Sequence, residues 1–276
     1  MRALAAALAA SLLLAACSTG GPAPSPTRPP GSATTAPPPS SSPTAAPHPG
    51  VTVVVRGVSA NLCAACTRFG RRSGVGLVAL VRRTLERVTP ILPRMRTRID
   101  VVMHRGTGPP DGIGGYTEWS TGHVRIYLHG AARDPTSGLQ VWLPFTLAHE
   151  LDHAARVLRG PGIDDTLLDW FVAEGMADRF AGAAFPSVPP SAGDHALTPL
   201  ETATLWRRAR PQLRSFETIA RLRRWFYGAR TIPAYAGYTI GYDIVNGYLE
   251  RHPAVSVAGL VTVDAERILR GSGFTP

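Results

Sequence analysis

The segment Thr146-Leu147-Ala148-His149-Glu150-Leu151-Asp152-His153 holds residue types that can do chemistry together. On a helix, positions i and i+4 lie one turn apart on one face, so His149 and His153 can converge on a single metal ion. Glu150 then stands beside that ion, placed to take a proton from a water activated there. Two imidazoles leave the set incomplete, because catalytic zinc takes three protein ligands and keeps a position for water. The longer pattern His-x-x-Gly-x-x-His fails here, since Arg156 and Arg159 stand where its Gly and last His are needed. Glu174 is the better third ligand. It lies 21 residues after His153, in the apolar run Trp170-Phe171-Val172-Ala173-Glu174-Gly175-Met176-Ala177-Asp178, where a buried carboxylate needs a partner. Asp178 follows four residues later on the same face and can accept a hydrogen bond from the far nitrogen of a ligand histidine, fixing its tautomer. Asp152 and Asp169 are rival carboxylates on other faces. The bland alternative is a set of charges on solvated helix faces.

These residues need two helices folded back on each other. Pro144 suits the first turn of one, and Gly160-Pro161-Gly162 ends it. Asp164-Asp165-Thr166 caps the next, which is expected to run to Gly182, with Gly175 and Ala177 permitting close packing. Upstream, the apolar patterning predicts strands at 51–58, 97–104 and 123–129. It also predicts a helix at 76–88, stopped by Pro90 and Pro93, and a Gly-rich loop at 106–115. Strands first and helices afterwards give an α+β fold class, a small mixed or antiparallel sheet followed by a mostly helical half.

The whole chain has 276 residues and a formal net charge of +10, from 29 basic residues against 19 acids. Every basic residue is arginine, which excludes a P-loop lysine, a pyridoxal-phosphate Schiff base and Ser-Lys catalysis. Arg2 and the Ala/Leu run behind it have the layout of an export signal over 1–16, too short to span a membrane. The run ends in Leu14-Ala15-Ala16-Cys17, which resembles a bacterial lipobox that would leave Cys17 lipidated. Residues 17–50 then form a Pro-, Ser- and Thr-rich linker, with 11 prolines among 18–50, that cannot bury a core. The folded domain is 51–276. All 19 acids and 27 arginines fall in it, leaving +8. The arginines at 207, 208, 210, 214, 221, 223, 224 and 230 meet only Glu217 as counter-charge; they are either a solvated face or a surface for anionic lipids or polymers. Cys63 and Cys66, in Cys-Ala-Ala-Cys, read as a local disulfide in an exported protein, with a redox pair as the alternative.

The set His149, Glu150, His153 and Glu174 resembles a gluzincin, the thermolysin-like branch of zinc peptidases. Leu147-Ala148-His149-Glu150, Glu174-Gly175-Met176-Ala177 and Gly237-Tyr238-Thr239-Ile240-Gly241-Tyr242 together are similar to the bacterial family of predicted zinc-dependent proteases called domain of unknown function 2268, over roughly residues 75–275. The resemblance implies a zincin-like fold, one Zn2+ per chain and a peptide or protein substrate. It makes 123–129 the edge strand that lines the cleft, with 112–115 as its lip or a plain turn. Tyr238 and Tyr242, four apart, are candidates to stabilise an oxyanion, or an aromatic pair packing the core. The expectation is thus an extracytoplasmic metallopeptidase, monomeric, held to the membrane by lipid on Cys17, with no nucleic-acid partner. Its rivals are a non-catalytic, metal-containing peptide-binding lipoprotein and a zinc amidase acting on cell-wall material.

Overall fold

The computed structural model describes residues 49–276 except 107, 165, 192, 216 and 217. The expected signal segment 1–16, Cys17, the linker up to residue 48 and Glu217 lie outside the described residues.

Five strands form one mixed sheet in the order β1-β2-β3-β5-β4. Strand β1 (Pro49–Val55) and β2 (Val58–Cys63) are an antiparallel hairpin. Its two-residue turn, Arg56-Gly57, has φ of 48° and 92°, the left-handed pair that matches strand twist. The single strand expected at 51–58 is therefore two strands. The apolar run continues across the turn, and its periodicity hides the Arg-Gly break. Strand β3 (Thr97–His104) runs parallel to β2, and β5 (Val124–His129) runs parallel to β3.

Strand β4 (Ile113–Thr117) pairs antiparallel with β5 and ends the sheet. This corrects two expectations. Three of the four residues at 112–115, read as a lip or plain turn, belong to a strand, and the segment at 123–129 lies inside the sheet rather than at its edge. Gly114 and Gly115 carry no β-propensity. At Gly115 the neighbouring helix leaves no room for a side chain: a Cβ there would lie 2.4 Å from Glu150 Oε1.

Helix α1 (Ala64–Arg72) follows the hairpin, and α2 (Leu77–Val88) buries Leu77, Val81, Leu85 and Val88 against β1 and β2. The helical half begins with α3 (Leu143–Arg159), entered through a π-helical turn, Gly138–Trp142, with Pro144 in its first turn. It packs on β4 and β5 beside α2. Helix α4 (Leu167–Ala184) starts at Thr166, whose hydroxyl accepts from the Asp169 amide. Its burial on nearly all sides fits a sequence whose apolar residues are spread around the helix, and it lies against both α3 and α7 (Ala236–Arg251). Helices α5 (Pro199–Ala209), α6 (Ile219–Tyr227) and α8 (Ala265–Ser272) complete the half. No helix among the described residues is long and apolar enough to cross a membrane.

The contact of α4 with α7 runs through facing glycines. A Cβ on Gly241 would lie 1.9 Å from Phe171 O, and one on Gly175 would lie 2.2 Å from Gly241 C. Gly241→Ala should therefore lower stability by about 1–3 kcal/mol through forced separation of the two backbones. Gly182, also in α4, faces open space and is the control: Gly182→Ala should stabilise by about 0.5 kcal/mol. Thermal melts of the two variants check this, and equal melting points would refute it.

Candidate metal centre

The i and i+4 spacing on α3 brings the two imidazoles together, with His149 Nε2 and His153 Nε2 3.0 Å apart. Helix α4 brings Glu174 to meet them. Its Oε2 lies 3.2 Å from His149 Nε2 and 3.6 Å from His153 Nε2. All three side chains are buried, and their ligand atoms lie within 4.8 Å of one another. Burial alone would raise the Glu174 carboxyl. The two imidazoles outweigh burial and hold it down at about 2, so it stays ionised.

Asp178, one turn beyond Glu174, places Oδ1 2.8 Å from His149 Nδ1. An imidazole that donates Nδ1–H to a carboxylate carries its lone pair on Nε2, the atom turned toward His153 and Glu174. One carboxylate oxygen and two imidazole nitrogens converging in a buried site form a donor set that suits zinc, and the residues present fit the ion. Trp119 closes the other side, its ring edge-on to His153 with centroids 5.1 Å apart.

Glu150 reaches the same small cavity, about 20 Å³, room for one water-sized occupant. Thr117 Oγ1 of β4 lies 2.7 Å from Glu150 Oε2 and 2.9 Å from its main-chain oxygen, which fixes the carboxyl against the strand. Burial pushes this carboxyl up in pKa, against the opposing pull of His149 and His153. Basicity is thereby raised in the group best placed to receive a proton. Asp152 is fully buried on another face of α3, and burial pushes it up to about 6. The Asp169 carboxylate accepts from the hydroxyl of Thr166, the residue that caps α4.

The two tyrosines part company. Tyr238 lines the cavity with His149, Glu150, His153 and Glu174. Tyr242 does not reach it. Its hydroxyl accepts from Arg179 at 3.3 Å, and its ring meets His195. Cys63 and Cys66 are joined as a disulfide at the start of α1 and line no part of the cavity. Of the remaining histidines, His123 pairs with Asp100, His104 packs on His129, and His252 stacks on Tyr248.

Sequence reasoning missed the residues that hold the centre from behind. Ser191 Oγ stands between Asp178 Oδ2, at 3.2 Å, and Asp194 Oδ1, at 2.9 Å. The Ser191 amide also donates to Asp194 Oδ2 at 2.9 Å. Burial, then the neighbouring Asp178 charge, pushes Asp194 up to about 8. The same loop is tied to α7, where Thr239 Oγ1 donates to Gly193 O at 2.6 Å. A Ser-x-x-Asp turn signal at 191–194 is the only sequence trace of this arrangement.

Residues 120–270 match the family described as Predicted Zn-dependent protease (DUF2268). The matched stretch contains His149, Glu150, His153, Glu174, Asp178 and Tyr238, whereas Gly115 and Thr117 precede it. No curated protein matches the chain.

Asp194 gives the centre a pH dependence with a definite sign. The folded protein keeps a proton up to about pH 8 that the unfolded chain releases near 3.8. The stability this proton contributes is complete below about pH 4 and is lost as pH climbs through about 8. Asp194→Asn keeps a neutral donor toward Asp178 and should flatten that decline. Urea titrations from about pH 4 to 9 measure it, and identical slopes in the two proteins would rule it out.

Proposed function

Because the chain belongs to the DUF2268 family of predicted Zn-dependent proteases, we propose that it is a gluzincin-like zinc metallopeptidase whose ligands are His149, His153 and Glu174. The observation that carries this reading is the buried convergence of those three side chains, with Asp178 behind His149. When bound there, zinc supplies a Lewis acid that acidifies water and polarises a carbonyl.

The chain's own residues supply the rest. Glu150 is the general base: its raised basicity suits it to take a proton and pass it to the leaving amine. Thr117 and Gly115 keep its carboxyl in one place, and Asp178 holds His149 in the tautomer that ligation needs. Tyr238 is the oxyanion donor, since it lines the cavity and Tyr242 does not. Strand β4 ends the sheet next to Glu150, so an extended peptide can add to its outer edge through main-chain hydrogen bonds. Gly114 and Gly115 present little there except backbone, which favours a substrate recognised by its main chain. Export and lipid attachment at Cys17 belong to the same proposal, supported by Arg2, the apolar run and Leu14-Ala15-Ala16-Cys17.

Elemental analysis and a peptide-library digest test the proposal. The full chain should carry about one zinc, lost in His149→Ala. Glu150→Gln should keep the zinc and lower hydrolysis by about 10²- to 10⁴-fold. Zinc without turnover on any peptide would replace this reading with the peptide-binding one, and turnover confined to cell-wall amides would replace it with the amidase. Tyr238→Phe should lower kcat by about 10²-fold with KM little changed, while Tyr242→Phe should leave kcat near wild type. Equal effects would remove Tyr238 from its role.

A further inference from the structure

A sizeable hollow lies outside the metal centre. It measures about 610 Å³, within the range of ligand pockets, and four arginines line it: Arg56, Arg94, Arg96 and Arg159, with Met95 and Leu158 as its floor. Three segments far apart in sequence build it. The β1–β2 turn supplies Arg56, the approach to β3 supplies Arg94 and Arg96, and the end of α3 supplies Arg159. Their placement is fixed by backbone. Arg56 takes the left-handed conformation of its turn, and the turn is pressed on the next segment so closely that a Cβ on Gly57 would lie 3.0 Å from Met95 O. Met95 is buried, and the arginines on either side of it are exposed.

No acid lines the hollow, and none of the four guanidiniums makes an ion pair or hydrogen bond with the described residues. Arginines with structural roles in this chain are matched differently. Arg98, two residues beyond Arg96, forks onto Asp100 with contacts of 2.9 and 2.7 Å, and Arg214 forks onto Glu266. Four like charges around one concavity repel one another and raise the local concentration of anions. A guanidinium fork matches two oxygens of a phosphate, and the volume admits more than one such group.

We propose that this hollow is a binding site for a multiply charged, phosphate-bearing anion. The site is independent of zinc and of hydrolysis, so its failure and that of the peptidase reading are separable.

Isothermal titration of the full chain with inorganic tripolyphosphate tests it. Binding of about one per chain is expected. It should weaken at least tenfold in the double variant Arg94→Gln with Arg96→Gln, and also in Arg159→Gln, which comes from a different segment of the lining. Arg221→Gln with Arg224→Gln removes the same charge from a separate basic hollow and should leave binding within about twofold. No saturable binding, equal weakening in that control, or binding that ignores Arg94, Arg96 and Arg159 (as chelation at a metal would) overturns the proposal. Vesicles of phosphatidylglycerol in phosphatidylcholine, and soluble glycerol 3-phosphate, identify the source. Vesicle binding that depends on Arg94 and Arg96 and is competed by tripolyphosphate assigns a lipid headgroup. Tripolyphosphate binding without vesicle binding assigns a soluble phosphate.

Discussion

Four ionisable side chains, His149, Glu150, His153 and Glu174, are each 4 % exposed or less where α3 meets α4, and groups taken that far from water must find partners on the spot. Much of the helical half follows from that requirement. Helix α4 has to lie close enough to α3 for a glutamate to reach two imidazoles. Helix α7 holds it there through glycines that bring the backbones into contact. On the far side of α3, β4 omits a side chain at Gly115 so that the Glu150 carboxyl can lie against the strand. Each of these features is unfavourable by local propensity, since glycine weakens helices and strands alike. They become intelligible as room made for buried polar groups.

The carboxyls of this interior show how neighbours, and not burial alone, decide ionisation. Glu174 is buried but faces two imidazoles and is held down at about 2, whereas burial lifts Asp194 and a facing carboxylate adds to it, to about 8. Glu150 lies between these cases, raised by burial and pulled back by His149, His153 and Thr117. A carboxylate that stays charged and a carboxyl that resists losing its proton are thus produced from one residue type around one cavity. Asp178 links the two ends, touching His149 on one side and Ser191 on the other.

The histidines, Glu150, Glu174 and Asp178 were legible because helical spacing is rigid: once α3 and α4 were read from their caps and breakers, positions four apart had to share a face. The strand at 97–104 was legible for the same reason, with a period of two. Strand β4 was not, because its Gly115 answers to a helix that is distant in sequence, and no local pattern encodes that. The hairpin was hidden by an apolar run that continues through its turn. Tyr238 and Tyr242 could not be separated by spacing, since both lie on one face of α7. Only the packing partners divide them: Phe226 and the cavity for one, Arg179 and His195 for the other. Ser191 and Asp194 sit in a loop between helices, where periodicity carries no information.

The glycine-to-glycine approach of α4 and α7 also bears on how quickly an ion could enter or leave. A helix packed against a neighbouring backbone, with no side chains between to yield, cannot roll or slide by a fraction of a turn. Two of the centre's carboxylates are carried by that helix, and a third element, the Ser191–Asp194 loop, ties it to α7. Separating α4 from α7 would mean unfolding much of the half that contains them, so an ion held by the proposed ligands would have to pass through the cavity that Trp119 and Tyr238 line. A zinc held as proposed would on that account exchange slowly, surviving dilution and passing to a chelator at a rate set by side-chain motion around the cavity.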